Sequence, residues 1–243
     1  MKRYLEGKRV LIILPTYNER ENLEPLTASI FRETDSLPCE LSILVVDDNS
    51  PDGTGDLADL LAEVNPRIQV LHRAGKEGLG RAYLAGFAWA LERDYDLIME
   101  MDADFSHHPR YLPVLLRASA EADIVLGSRY VGGGGTVNWG VGRRILSQGG
   151  SLYARTVLGL KQRDLTGGFK VFQRSALETL DLTSVHSEGY AFQIELTLRA
   201  VRRGLKVIEV PIVFEDRRVG QSKMSGNIVS EALFMVWKLR GVR

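Results

Sequence analysis

Two carboxylates one residue apart, Asp102 and Asp104 on either side of Ala103, are the strongest chemical feature of the chain. On a backbone leaving a strand, side chains at i and i+2 can both turn toward one ion. Their hard oxygens suit Mg2+ or Mn2+, with diphosphate oxygens and waters filling the octahedron. The same tripeptide also serves as a solvated loop, or as a cap on the helix that Pro109 introduces. The adjacent His107 and His108 would share a metal poorly and are expected to be ordinary surface residues. Two basic groups point to anions. Arg129, Arg143, Arg144 and Ser147 flank a glycine-rich stretch, with Arg143 and Ser147 four apart on one helical face. Arg217, Arg218, Ser222 and Lys223 surround Gly220. Arginine grips phosphate through a planar fork and lysine as a point charge. Each group alone also reads as solvated surface, paired with residues such as Glu215 and Asp216. Beside a cation motif, the two groups point to two phosphorylated substrates.

A scaffold must bring these side chains together. Val10 to Leu14 is an apolar run ended by Pro15, as expected of a strand buried on both faces. Leu23, Leu26, Ile30 and Phe31 predict a helix over about Glu19 to Glu33. Strands are predicted at Leu41 to Val46, Ile68 to Leu71, Leu97 to Met101 and Ile124 to Leu126, with helices at Thr54 to Val64 and Leu79 to Leu91. Repeated strand-then-helix units imply an α/β fold, a mostly parallel sheet with helices on both faces. In such sheets ligands bind beyond the carboxyl ends of the strands. Thr16, Tyr17, Asn18, Glu19, Asp47, Asp48, Lys76, Glu77, Asp102 and Asp104 all fall there. Gly75 to Gly80 is neither a P-loop, lacking Gly-Lys-Ser/Thr, nor a dinucleotide fingerprint, since Tyr83 stands where a third glycine is required. Tyr130 to Gly142, with Gly132 to Gly135, is expected to be a mobile loop. Helices follow at about Arg143 to Leu158 and Gly189 to Arg203, a strand near Val207 to Phe214, and a final helix over Ile228 to Leu239.

With 243 residues and no convincing linker, one domain over 1–243 is expected. Lys plus Arg and Asp plus Glu each number 31, so no global positive field recruits nucleic acid. One cysteine, Cys39, excludes an intramolecular disulfide and fits a reducing cytosol. No apolar stretch reaches the ~20 residues of a spanning helix, so the chain is expected to be soluble, at most attached to a membrane surface.

An ordered set of segments carries a resemblance. Pro15-Thr16-Tyr17-Asn18-Glu19, Val46 to Thr54, Gly78 to Tyr83 and Asp102 to Pro109 come first. Gly127-Ser128-Arg129-Tyr130, Thr166 to Lys170 and Gly220 to Met224 follow. Together they resemble the dolichol-phosphate (polyprenol-phosphate) mannose synthases, among the family 2 glycosyltransferases of GT-A fold, from about Val10 to Trp237. The closing Ser222 to Gly226 is similar to the mannose branch.

The resemblance implies inverting transfer from GDP-mannose to a polyprenyl phosphate with a divalent cation, Mg2+ or Mn2+. It implies donor contacts at Pro15, Tyr17, Glu19, Asp48, Asp102, Ala103 and Asp104, with Asp102 and Asp104 on the metal. Arg217 and Lys223 match the donor-diphosphate pair, and Arg129, Arg143 and Ser147 the acceptor-phosphate cradle. Asp104, Arg129 and Arg217 are expected to bear most directly on the reaction. Where the family often has Gln, this chain has Ser106, which leaves a third ligand position to water. Some relatives carry membrane spans; this chain resembles the type without them, or a piece of a longer protein. A peripheral enzyme at the cytosolic face of a membrane is expected, with a membrane-protein partner open. Residues 224–243 offer an amphipathic helix that either lies in the bilayer interface or packs on the core. A UDP-sugar transferase and a non-catalytic nucleotide-sugar-binding subunit remain open alternatives.

Overall fold

The alternation inside the first apolar run sets the architecture. In β1 (Arg9–Thr16), Val10, Ile12 and Leu14 enter one apolar cluster while Leu11 and Ile13 enter another. A strand with helices on both faces needs this continuous apolar pattern. The computed structural model describes residues 2–215 and 235–241. After β1 come α1 (Arg20–Thr34), β2 (Glu40–Asp47), α2 (Thr54–Val64), β3 (Ile68–His72), α3 (Leu79–Leu91) and β4 (Leu97–Glu100). Then follow α4 (Leu112–Ala118), β5 (Ile124–Ser128), β6 (Gly135–Val137), α5 (Val141–Leu158) and β7 (Lys170–Gln173). The series ends with α6 (Arg174–Thr179), α7 (Gly189–Arg202), β8 (Val207–Pro211) and β9 (Val213–Glu215).

Among the described residues, seven strands form one sheet in the order β3-β2-β1-β4-β7-β5-β8. All neighbours are parallel except β7, which runs antiparallel to both β4 and β5. The helices α1, α2 and α4 cover one face and α3, α6 and α7 the other. Gly86 allows α3 to lie close on β1: a Cβ there would stand 2.7 Å from Ile13 Cγ2.

Several expectations are corrected. Pro15 does not end β1 but stays inside it, opposite Val46. Met101 N–H donates to Ile13 O, so odd-numbered residues of β1 face β4. Pro15 lies past the point where β4 has stopped, and its missing N–H deprives no neighbour. The glycine-rich loop is tied down, not loose. β6 within it pairs with β9, and Gly135 N–H donates to Ile212 O. A Cβ on Gly134 would meet Ser128 O at 2.5 Å, so this glycine permits a backbone contact. The strand predicted at Val207 to Phe214 breaks at Ile212 into β8 and β9.

Of the final helix, residues 235–239 are helical, and Val236 and Leu239 are buried with Ala154 and Leu158 of α5 and Ile194 and Leu198 of α7. This described portion packs on the core; Ile228 to Phe234 lie outside the described residues. Among the described residues no helix is long and apolar enough to cross a membrane.

Candidate active site

The chain leaves the sheet at Glu100, and the next residues make a tight turn at the carboxyl edge. Ala103 is buried in the apolar cluster, which leaves the flanking Asp102 and Asp104 to form the polar side of the turn. Phe105 adopts φ +62°, in the left-handed region that non-glycine residues seldom use, while its ring stays buried. Asp104 Oδ1 accepts the Ser106 N–H at 3.0 Å and the Ser106 hydroxyl at 2.5 Å. Ser106 therefore orients a carboxylate.

Asp102 is held from two sides. The Tyr83 hydroxyl donates to its Oδ1 at 3.2 Å, and its N–H donates to His107 Nδ1 at 3.0 Å. His107 is not the expected surface residue. It is buried and stacked on Phe169 with ring centroids 4.8 Å apart. Burial lowers its pKa, with Asp102 and Asp104 pulling the other way, so the ring is neutral and carries its proton on Nε2. His108 caps the following turn by accepting the Arg110 N–H.

Among the described residues no group of three or more His, Cys, Asp and Glu side chains could hold a metal ion. Asp102 and Asp104 offer two hard carboxylate donors, a set that suits Mg2+ or Mn2+ only where diphosphate oxygens and water complete the coordination.

The edge beside β1 and β2 presents the residues expected around a nucleoside. Tyr17 lies under Lys76, whose ammonium is 3.9 Å from the ring centroid. Glu19 Oε2 accepts from Asn22 Nδ2 at 2.8 Å, and its N–H donates to Thr54 Oγ1 at 3.0 Å. Asp47 locks the two strand ends by accepting from Thr16 Oγ1 at 2.9 Å and Ser50 Oγ at 2.6 Å. Asp48 is paired with Arg73. Burial raises its pKa, and the Arg73 charge partly offsets that rise.

The structure also gathers Arg129, Arg143 and Ser147. Trp139 brings the two arginines together, with guanidinium carbons 5.6 and 4.2 Å from its ring centroid. The Tyr130 hydroxyl donates to Ser147 Oγ at 2.6 Å. Arg129 is almost fully buried. Its Nε and one terminal nitrogen donate to the Asp164 carboxylate at 2.7 and 2.6 Å, and Thr166 Oγ1 accepts at 2.8 Å. Burial raises the Asp164 pKa, but the Arg129 charge and hydrogen bonds outweigh it and leave the carboxyl below its usual range. Glu209 supports this arrangement by accepting the N–H groups of Arg163 and Asp164 at 2.8 and 2.9 Å. Arg217 and Lys223 lie outside the described residues.

A second buried charge pair stands just behind the carboxylate turn. Lys170 Nζ is 3.9 Å from Glu100 Oε2 and donates to Gln193 O at 3.2 Å. Burial raises the Glu100 pKa to about 7 against the pull of Lys170, and lowers that of Lys170 to about 8 against the pull of Glu100.

Sequence reasoning missed Tyr83, Trp139, Asp164 and Arg73 as parts of the site. Tyr83 carried one signal: a hydroxyl on the helix face that meets the sheet, where burial demands a partner. Asp164 carried none, because its partner Arg129 lies 35 residues away in the chain.

The sequence matches the family model for glycosyl transferase family 2 over residues 11–181. An undecaprenyl-phosphate mannosyltransferase from Micrococcus luteus is 53% identical over 94% of this chain and 92% of its own. A polyprenol monophosphomannose synthase from Mycolicibacterium smegmatis is 50% identical over 96% of this chain and 88% of its own. Among solved structures, glucosyl-3-phosphoglycerate synthase from Mycobacterium tuberculosis in complex with Mn2+, uridine diphosphate and glucosyl-3-phosphoglycerate superposes with a TM-score of 0.70. It is 20% identical and the match covers 100% of this chain and 85% of that one, a likeness of fold. The sheet order, the carboxylate turn at its edge and these two relatives agree: the chain belongs to glycosyl transferase family 2 and has the GT-A fold.

Proposed function

We propose that the chain transfers mannose from GDP-mannose to a polyprenyl monophosphate, with inversion at the anomeric carbon. The observation that carries this reading is the division of the rim. A carboxylate turn fit for a cation stands beside a cradle in which Arg129, Arg143 and Ser147 meet around Trp139 and Tyr130. The two relatives of 50 and 53% identity supply the mannose and the polyprenyl phosphate.

The acceptor needs no base. A phosphate monoester is anionic at neutral pH, with a second pKa of about 6, whereas a sugar hydroxyl would require a positioned base to take its proton. One phosphate oxygen attacks the anomeric carbon. The bond from that carbon to the diphosphate oxygen breaks, and its electron pair leaves with GDP. When bound, a divalent cation neutralises the charge gathering on the departing diphosphate. Asp102 and Asp104 would hold that cation, the first aimed by Tyr83 and the second by Ser106. Arg143 and Ser147 would position the attacking phosphate, with Arg129 as a fixed positive charge beneath it. Arg217 and Lys223 are assigned to the donor diphosphate from the sequence motif. Tyr17, Glu19, Asp48 and Pro15 would hold the nucleoside.

The lipid tail stays in the bilayer, so the enzyme works as a peripheral protein at a membrane surface. Purified protein should convert GDP-mannose and a phosphopolyprenol to mannosyl phosphopolyprenol with Mg2+ or Mn2+, and lose this with chelator. Product formed only with UDP-sugars, or no product with any donor, would overturn the reading.

A further inference from the structure

Charge is segregated in this chain. From Arg129 to Arg163 there are five arginines, one lysine and no Asp or Glu, although the whole chain is neutral. α5 runs through the middle of this stretch, and its outer face is not polar. Val141, Ile145 and Leu152 are 73, 66 and 60% exposed. Together with Gln148 and Arg155 they recur at alternating spacings of four and three, a single helical stripe. Exposed apolar residues on one helix face, interrupted only by Gln148 and closed by Arg155, are the pattern of a surface that meets a partner part apolar and part charged.

Beside the stripe a cleft of about 510 Å3 is lined by Arg129, Tyr130, Gln148, Leu152, Arg155 and Arg163, with no carboxylate among its lining residues. Arg129 is buried and already engaged by Asp164. Arg155 and Arg163 form no ion pair among the described residues. Two guanidinium groups facing a cleft that has no carboxylate in its lining suit phosphate. The cleft shares Arg129 and Tyr130 with the Arg143 and Ser147 cradle but runs along a different face of α5, where Gln148, Leu152 and Arg155 stand.

We propose that this face of α5 is the membrane-docking surface and that the cleft takes the phosphate of an anionic phospholipid headgroup. Arg155 and Arg163 grip the headgroup while Val141, Ile145 and Leu152 enter the boundary between headgroups and acyl chains. The bilayer then lies against the helix that carries the acceptor cradle, which places a lipid acceptor's phosphate beside Arg143 without removing its tail from the membrane. The inference rests on the acceptor being a membrane lipid, but binding can be read without turnover.

The test is co-sedimentation of the full chain with phosphatidylcholine vesicles, with and without phosphatidylglycerol, in the absence of donor and polyprenyl phosphate. The protein should bind the phosphatidylglycerol vesicles at least tenfold more tightly. R155Q/R163Q should weaken that binding about thirtyfold, keep the wild-type melting temperature, and retain activity toward a short-chain, water-soluble phosphopolyprenol. V141N/I145N/L152N should also lose vesicle binding. Equal binding to both vesicle types, or wild-type binding by R155Q/R163Q, would overturn the proposal. Vesicle binding without any mannose transfer would sink the proposed function and leave this surface standing.

Discussion

Asp164 accepts three hydrogen bonds from Arg129, one from its backbone N–H at 2.9 Å and two from its guanidinium at 2.7 and 2.6 Å. The carboxylate therefore fixes both ends of Arg129, the residue proposed to underlie the acceptor phosphate. Replacing Asp164 by Asn should leave Arg129 charged, buried and poorly paired, at a cost of about 3–5 kcal/mol in stability. Because the folded Asp164 titrates below its usual value, its contribution is fully present above that value and is lost as pH falls through the folded one. Urea unfolding of wild type and Asp164→Asn should show a constant gap at neutral and mildly acid pH, closing only in strong acid.

The carboxylate turn predicts a hierarchy of losses. Asp104→Ala should abolish transfer, by more than about a hundredfold, since on the proposed mechanism it removes a cation ligand worth several kcal/mol at the barrier. Ser106→Ala removes only the hydroxyl that aims Asp104, so a loss nearer tenfold is expected, about 1.4 kcal/mol. Raising the divalent cation concentration should recover much of the Ser106→Ala rate and none of the Asp104→Ala rate. Steady-state rates across a cation titration check both.

Glu100 and Lys170 offer a test by compensation. Lys170→Met alone removes the pull on a carboxyl already raised to about 7, so Glu100 should take a proton at neutral pH and the loss should grow as pH rises, toward about 3–5 kcal/mol where the stranded group is charged. Adding Glu100→Gln should restore most of that stability, because a neutral amide has no charge to strand. Chemical denaturation of the two single variants and the double variant gives the coupling directly. Strict additivity would mean that the pair does not interact.

A base-free mechanism has its own pH signature. Transfer should fall as pH drops below about 6, where the acceptor phosphate gains its second proton. The same limb should appear in every variant that keeps the cradle, since it belongs to the substrate. A phosphonate acceptor with a higher second pKa should move the limb upward by the same interval.

Much of the scaffold was legible because it is written in local pattern. Thr54–Val64 and Leu79–Leu91 were bounded correctly, and β1, β2 and β3 to within two residues, by apolar periodicity alone. β7 was missed as a strand. Lys170 and Gln173 interrupt its apolar character, and its place between β4 and β5 is decided by partners far away in the chain. His107 was misjudged for a related reason. A loop histidine looks exposed until Phe169, some sixty residues later in the sequence, is seen to cover it. Asp102 and Asp104 stood out because their one-residue spacing is visible in the sequence itself. Tyr83 and Asp164, which aim Asp102 and Arg129, became visible only once the chain was folded.

The lone antiparallel strand has a further consequence. β5 ends at Ser128 and β7 begins at Lys170, and because β7 runs backwards both points sit on the same rim of the sheet. Everything between them departs from the rim that carries the candidate site and returns to it without crossing the sheet. That excursion behaves like an interchangeable handle. Its length and lining can be rewritten while β1, β2 and β3 keep their register, which makes residues 129–169 the natural cassette for redesign.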